Sequence, residues 1–235
     1  MSSAESQDND VPVLVLRDIH LRIDSGEKIA VCGRTGSGKS SFIALLLKLL
    51  DPTSATAQNV IIDEIPLRLI DRSALRQRII AVPQEAVFLP DESTFRNNLD
   101  VSEEATREEC EAVLATVGLW KFVEERGGLD AGMSSSSFSA GQRQLMSLGR
   151  ALLRRSVRKR KAGTESADKG ILLLDEVSSS VDRETERVMQ ETIRTEFAGY
   201  TVIAVSHRLE MIMDFDRVVV MARGEVVEVG SPREL

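Results

Sequence analysis

Eight residues, Gly33-Arg34-Thr35-Gly36-Ser37-Gly38-Lys39-Ser40, limit what this 235-residue chain can become more than any other stretch. They fit GxxxxGK[ST] and stand between a strand-like run, Lys28 to Cys32, and a run with a wide apolar helical face, Phe42, Ile43, Leu45, Leu46, Leu49 and Leu50. Glycines let successive backbone N–H groups converge on one anion, and the helix start adds partial positive charge. In that setting Lys39 reaches the β- and γ-phosphates of a nucleotide and the Ser40 hydroxyl ligates Mg²⁺. A chance match anywhere in the chain has odds of roughly one in a hundred. Gly33 to Ser41 is therefore the expected phosphate-binding run.

Short apolar runs at Ile79 to Val82, Gly170 to Leu174 and Thr201 to Val205 have the character of parallel strands buried on both faces. They alternate with helical stretches, Glu103 to Val117 and Asp182 to Phe197, with Asp182 as the N-cap of the second. The class is α/β. Ile19, Leu21 and Ile23 alternate with His20 and Arg22, which predicts a half-buried strand turning at Asp24 to Glu27. The first helix should end before Asp51-Pro52. Arg217 to Met221 and Glu225 to Val229 flank Ala222-Arg223-Gly224, a hairpin expected outside the parallel sheet.

Composition excludes several classes. No apolar run approaches the ~18 to 20 residues that span a bilayer. Ser2 to Asp10 is polar and acidic, the reading of a frayed tail without a leader, so the chain is expected to be cytosolic. A net charge of −7 argues against a nucleic-acid footprint. Cys32 and Cys110 lack metal-ligand spacing and read as structural thiols, and His20 as an inert surface residue.

Ile171-Leu172-Leu173-Leu174-Asp175-Glu176 delivers two carboxylates at the end of a strand, where sheets of this type place ligands. Beside a phosphate-binding loop, Asp175 is the natural Mg²⁺ ligand and Glu176 a base or orienting group for an attacking water. Here a family resemblance enters. Phe138-Ser139-Ala140-Gly141-Gln142 resembles the LSGGQ signature of ABC ATPases, Gln84 the Q-loop glutamine, Ser179-Ser180-Val181-Asp182 the D-loop, and His207 the switch histidine, all in the family's order.

The resemblance implies a P-loop NTPase core with a mostly parallel central sheet, an N-terminal antiparallel β subdomain and a helical signature subdomain. Residues 1–10 would be a tail and 11–235 one ATP-binding domain, with the helical subdomain near 86–155 and an extended basic loop near 156–169. It implies ATP and Mg²⁺ as ligands, with Lys39, Gln84, Glu176 and His207 catalytic, and Ser40, Gln84 and Asp175 on the metal. It also implies a head-to-tail pair with a second such domain, identical or different. There Ser139, Ala140, Gly141 and Gln142 would meet the opposite ATP and Asp182 would tie the two subunits. Leu89-Pro90, Asn97-Asn98-Leu99-Asp100, Val117-Gly118-Leu119-Trp120 and Ser206-His207-Arg208-Leu209 look like the C subfamily of ABC exporters, and Glu176 like its second domain. Such a domain works at the cytoplasmic face of a membrane, through membrane domains this chain lacks, with the Gln84, Phe88 and Leu89 region as the coupling surface. Alternatives are a catalytically weak regulatory module and a chromosome-organising relative. The latter would need a long coiled coil between Lys39 and Ser139, where no sustained heptad occurs.

Three features depart from the family pattern. Phe138 and Ala140 replace the usual Leu and Gly, the first expected to alter packing and the second to weaken contact with the opposite ATP. No aromatic precedes Phe42, so either the chain begins after the adenine-stacking residue or the apolar run Val11 to Leu16 serves. Arg154 to Ser166 carries six basic residues in its first eight positions and reads as a solvated loop, or more sharply as a regulatory or anionic-lipid contact.

Overall fold

The computed structural model describes residues 14–53, 56–163, 169–177, 181–206, 208 and 212–234. Its centre is a six-stranded sheet in the order β4-β5-β6-β1-β7-β8, formed by β1 (Lys28–Cys32), β4 (Ile79–Val82), β5 (Ile171–Asp175), β6 (Thr201–Val205), β7 (Arg217–Ala222) and β8 (Glu225–Gly230). The first five are mutually parallel and β8 closes one edge antiparallel to β7. A separate antiparallel pair, β2 (Ile61–Ile62) and β3 (Ile65–Pro66), lies between α1 (Lys39–Leu46) and α2 (Arg72–Arg78) in the chain. The fold is the expected α/β arrangement.

The strands carry continuous apolar runs because both faces are covered. On one face Ala30, Ile80, Leu172, Leu174, Val202 and Ala204 join a core with the helices α3 (Phe95–Leu99), α4 (Arg107–Thr116), α5 (Trp120–Glu124), α6 (Ala140–Ala162) and α7 (Arg183–Glu196). On the other, Ile29, Val31, Leu173, Ile203 and Val205 meet Phe42 and Ile43 of α1. The period of two along each strand sorts its residues between these cores. Each fully buried Leu or Ile contributes about 1.5–3 kcal/mol relative to exposure.

Several boundaries differ from the sequence reading. No ladder pairs Ile19 to Ile23; these residues alternate between half-buried and exposed, but in a segment the sheet does not accept. Alternation reports a covered side, and pairing is a separate condition. α1 stops at Leu46, with Lys48 at φ 54, leaving Leu49 and Leu50 exposed. α4 begins only at Arg107, because Thr106 and Glu109 form a capping box there. The hairpin belongs to the main sheet, since β7 pairs with β1 from Ile29↔Arg217 to Cys32↔Val220.

The basic loop is the largest correction. Positions 156–162 are helical, and α6 runs unbroken to Ala162 before Gly163 caps it at φ 63. Arg and Lys are good helix formers, and cations are favoured at a helix C-terminus. Each also has a partner that the linear sequence hides. Arg154 donates to Arg76 O at 2.7 Å, Arg155 pairs with Glu196 at 3.0 Å, Arg160 with Glu109 at 2.9 Å, and Lys161 with Glu104. Arg158 donates to the carbonyls of Gln77 at 3.0 Å and Arg78 at 3.3 Å, to that of Lys169, and to the Tyr200 hydroxyl at 2.6 Å. Thr164 and Ser166 lie outside the described residues.

Because Arg158 joins α2 to the segments leading into β5 and β6 through charge-assisted bonds, Arg158→Ala should lower unfolding free energy by about 2 kcal/mol. Arg160→Ala, on the exposed rim, should have a much smaller effect that vanishes in high salt. Urea denaturation at low and high ionic strength checks both; equal losses for the two variants would refute the distinction.

Candidate functional site

The glycine-rich run links the end of β1 to the start of α1, at the carboxyl edge of the parallel strands. Gly33 has φ 148, and a Cβ there would meet the carbonyl oxygen of Met221 at 2.3 Å. Gly38 has φ 105, with Leu16 3.0 Å from the position a Cβ would take. Both positions require glycine on conformation and on space. The loop then folds over its own lysine: Lys39 is 6% exposed, and its Nζ donates to Gly33 O at 2.7 Å and Arg34 O at 3.1 Å. Arg34, Thr35 and Gly36 stay exposed, as does Ser40, while Ser41 is half-buried.

The β7–β8 turn and the N-terminal segment form the floor of this loop. Gly224 N donates to Ser37 O at 2.9 Å, and Arg17 N to Gly224 O at 2.8 Å. A Cβ on Gly224, at φ 83, would lie 2.2 Å from Val15 O. Of the apolar run Val11 to Leu16, Leu14 and Val15 are exposed and Leu16 packs on the core; positions 11–13 lie outside the described residues. The sequence held no signal for this floor beyond the turn residues themselves.

β5 brings Asp175 and Glu176 to the same edge. Burial pushes the half-buried Asp175 carboxyl above its ordinary range, the neighbouring Glu176 charge adds to this, and the Lys39 ammonium opposes it. Glu176 sits in the left-handed region at φ 47, its N–H donating to Val205 O at 2.9 Å. A non-glycine residue held there is strained, and such strain concentrates at functional positions. From the loop after β4, Gln84 Nε2 donates to Glu176 Oε2 at 3.1 Å. Gln84 and Glu176 are 92 positions apart in the chain and in contact in the fold.

Among the described residues no three His, Cys, Asp or Glu side chains cluster as a metal cage. Mg²⁺ does not need one, because it binds through one or two carboxylates with phosphates and water. Ser40, Asp175 and the Gln84 amide oxygen, whose Nε2 is already committed to Glu176, are hard oxygen donors that fit it.

The signature segment lies at the start of α6. Ser139 is its N-cap, its Oγ accepting from Gln142 N at 3.1 Å, while Gln142 Oε1 accepts from Ser139 N at 3.0 Å. Ala140 is the first helical residue. A Cβ on Gly141 would come within 2.9 Å of Thr185 Oγ1 and 3.4 Å of Asp182 Oδ2, so the signature helix and α7 meet at that glycine. Asp182 caps α7, its Oδ1 accepting from Glu184 N and Thr185 N at 3.0 Å and its Oδ2 from the Thr185 hydroxyl at 2.8 Å. Phe138 is buried among Phe122, Phe88 and Phe95, ring centroids 4.9, 5.4 and 6.0 Å away, a packing role as expected.

His207, Ser179 and Ser180 lie outside the described residues. Beside them, Arg208 donates to Glu186 of α7 and, at 3.2 Å, to Val181 O. Sequence reading also missed Gln144 and Arg150 of α6, which bond to the Gln84 loop. Of the cysteines, Cys110 is fully buried, which pushes its thiol up to about 11, and both are free.

The sequence model of the ABC transporter family matches residues 16–157. The ABC-type transporter braE of Annulohypoxylon truncatum is 61% identical over 237 residues, covering 100% of this chain and 16% of that protein. The ABC transporter FGM5 of Gibberella zeae is 53% identical over 235 residues, again covering 100% of this chain and 16% of the relative. The chain thus spans about a sixth of the length of these relatives. In three dimensions it matches a bacterial Atm1-family ABC exporter solved with ATP bound, with TM-score 0.79 and 26% identity, over 97% of this chain and 37% of that one. A phosphate-binding loop, a strand-end carboxylate pair and a signature helix on one parallel sheet, together with these matches, place the chain in the ABC transporter family as an ATP-binding domain.

Proposed function

We propose that this domain hydrolyses ATP to drive an exporter, working as the second ATP-binding domain of a C-subfamily transporter at the cytoplasmic face of a membrane. The observation that carries the reading is the Gln84 to Glu176 hydrogen bond at 3.1 Å, which holds an amide against the carboxylate of a residue with strained backbone, at the strand edge that also bears Asp175. The loop N–H groups and Lys39 hold the β- and γ-phosphates, Lys39 exchanging a loop carbonyl for phosphate oxygen. Glu176 accepts a proton from, or orients, the attacking water, and Gln84 fixes the direction of that carboxylate. His207 stabilises charge developing on the γ-phosphate. Ser40, Gln84 and Asp175 would hold Mg²⁺, which when bound neutralises phosphate charge.

The exposed Ser139 and the N–H groups near Gly141, at the start of a long helix, suit an anion delivered by a second domain in a head-to-tail pair, the same chain or a different one. Asp182, beside that helix start, would contribute to the join. Membrane domains are the other partners; Val87, 71% exposed, and Leu89, on the loop after Gln84, offer them an apolar surface. Among the described residues no helix is long and apolar enough to cross a membrane, so those domains would be other segments. Adenine would lie against Leu14 and Val15, the exposed apolar residues next to the loop floor.

Glu176→Gln should lower phosphate release by about two to four orders of magnitude while leaving MgATP binding intact. Phosphate release measured against protein concentration checks this, and a rate per chain that rises with concentration supports pairing of two copies. Undiminished turnover in the variant would remove Glu176 from the mechanism.

Asp175 supplies a second test through its raised pKa. A carboxyl whose pKa is higher folded than unfolded is relatively stabilising below the unfolded value, and that contribution is lost as pH rises through the folded value. At neutral pH the wild-type chain therefore carries a penalty that Asp175→Asn lacks. Without nucleotide the variant should melt at higher temperature than wild type near pH 7, by a margin that shrinks as pH falls through the raised folded pKa and is gone below the ordinary aspartate range. MgATP should stabilise it less than wild type. A variant less stable than wild type at neutral pH would contradict this account.

A further inference from the structure

The α6 side chains that face the Gln84 loop have no role in the function described so far. Gln144 is 8% exposed, on a buried helix face that also carries Ser147, Leu148 and Ala151. Its Nε2 donates to the backbone carbonyl of Gln84, a group that can only accept, so the amide has one permitted orientation. The other end, Oε1, is then sealed from solvent with no partner among the described residues. A leucine or methionine would fill this place without an orphaned oxygen. What glutamine supplies, and they do not, is the donor.

Two turns further along, Arg150 reaches the same loop and the helix after it. Its Nε donates to Asn98 O at 2.6 Å, its Nη1 to Val87 O, and its guanidinium lies 5.0 Å from the Phe88 ring centroid. The segment 84–88 is thus bonded at both ends to one long helix. The residue whose carbonyl Gln144 holds is the one whose side chain donates to Glu176.

We propose that Gln144 is a positioning residue for hydrolysis: it transmits the position of the signature-bearing helix α6, through the Gln84 backbone, to the carboxylate of Glu176. The chain of contacts is continuous, from the Ser139 cap along rigid helix to Gln144, then across one hydrogen bond to Gln84 and a second to Glu176. A displacement of α6 when its N-terminus takes up an anion displaces Gln84 directly, and misplacement by about 1 Å is enough to slow chemistry substantially. The inference rests on the proposed role of Glu176 for its effect on rate, but the bracing of Gln84 is independent of it.

Gln144→Met, which keeps length and removes the amide, tests the idea in the 235-residue chain. Its kcat for phosphate release should fall about 10- to 100-fold with KM for MgATP nearly unchanged. Backbone order parameters at Glu85, Ala86 and Val87 should fall below wild type, while amide exchange in α6 from Leu148 to Leu153, and the melting temperature, stay as they are. The double variant with Gln84→Ala should be no slower than Gln84→Ala alone. Wild-type kcat, or wild-type order at 85–87, in a folded variant overturns the proposal, as does a loss of kcat matched by a general loss of α6 protection. Should wild type itself release no phosphate, the hydrolysis reading fails, and the order-parameter measurement still decides whether Gln144 braces Gln84. If the methionine variant does not fold, Gln144→Leu is measured in its place.

Discussion

The ammonium of Lys39 is almost out of reach of solvent, and a charge in that position is tolerable only where oxygen atoms surround it. Gly33 and Arg34 supply those oxygens by folding the loop back over the side chain. That fold-back requires Gly33 at φ 148 against the Met221 carbonyl, which is available only because β7 lies beside β1 in the sheet. The β7–β8 turn then receives Arg17 N on Gly224 O, and so draws the N-terminal segment into the same assembly. Three remote parts of the chain are thus organised around one buried lysine.

A second dependence runs through α6. At its start it presents Ser139 and Gly141, and a Cβ on Gly141 would meet Thr185 of α7 and Asp182, the cap of α7. In its middle, apolar residues join the core that also buries Phe138 within an aromatic cluster. At its end, arginines satisfy carbonyls of α2 and carboxylates of α4 and α7. One helix therefore touches the signature site, the Gln84 loop and the edge of the sheet. Phe138, just before that helix, packs into the aromatic cluster with its ring turned to the core.

Much of this was legible in sequence because it depends on local chemistry. The period of two in the apolar runs, the N-cap at Asp182 and the glycine spacing before Lys39 each follow from backbone sterics and from hydrogen bonds between residues close in the chain. The basic run 154–161 was misleading for the complementary reason. Its composition is that of solvated chain, and its helix is held by Glu104, Glu109, Glu196 and backbone carbonyls far away in sequence. Likewise Ile19 to Ile23 alternates as a strand does, but whether a strand pairs depends on what lies alongside it.

The sequence by itself determined the glycine spacing before Lys39, the α/β alternation and the position of Asp175 and Glu176 at the end of an apolar run, because these reside in residue type and short spacing, while Gln84 and the signature residues entered through a family resemblance. Only the tertiary structure decided that Gln84 meets Glu176, that the C-terminal hairpin underlies the phosphate loop, and that Gln144 and Arg150 hold the loop after β4. Each of those contacts joins residues separated by tens to hundreds of positions. Their proximity is set by strand order and helix packing, which no short-range pattern encodes.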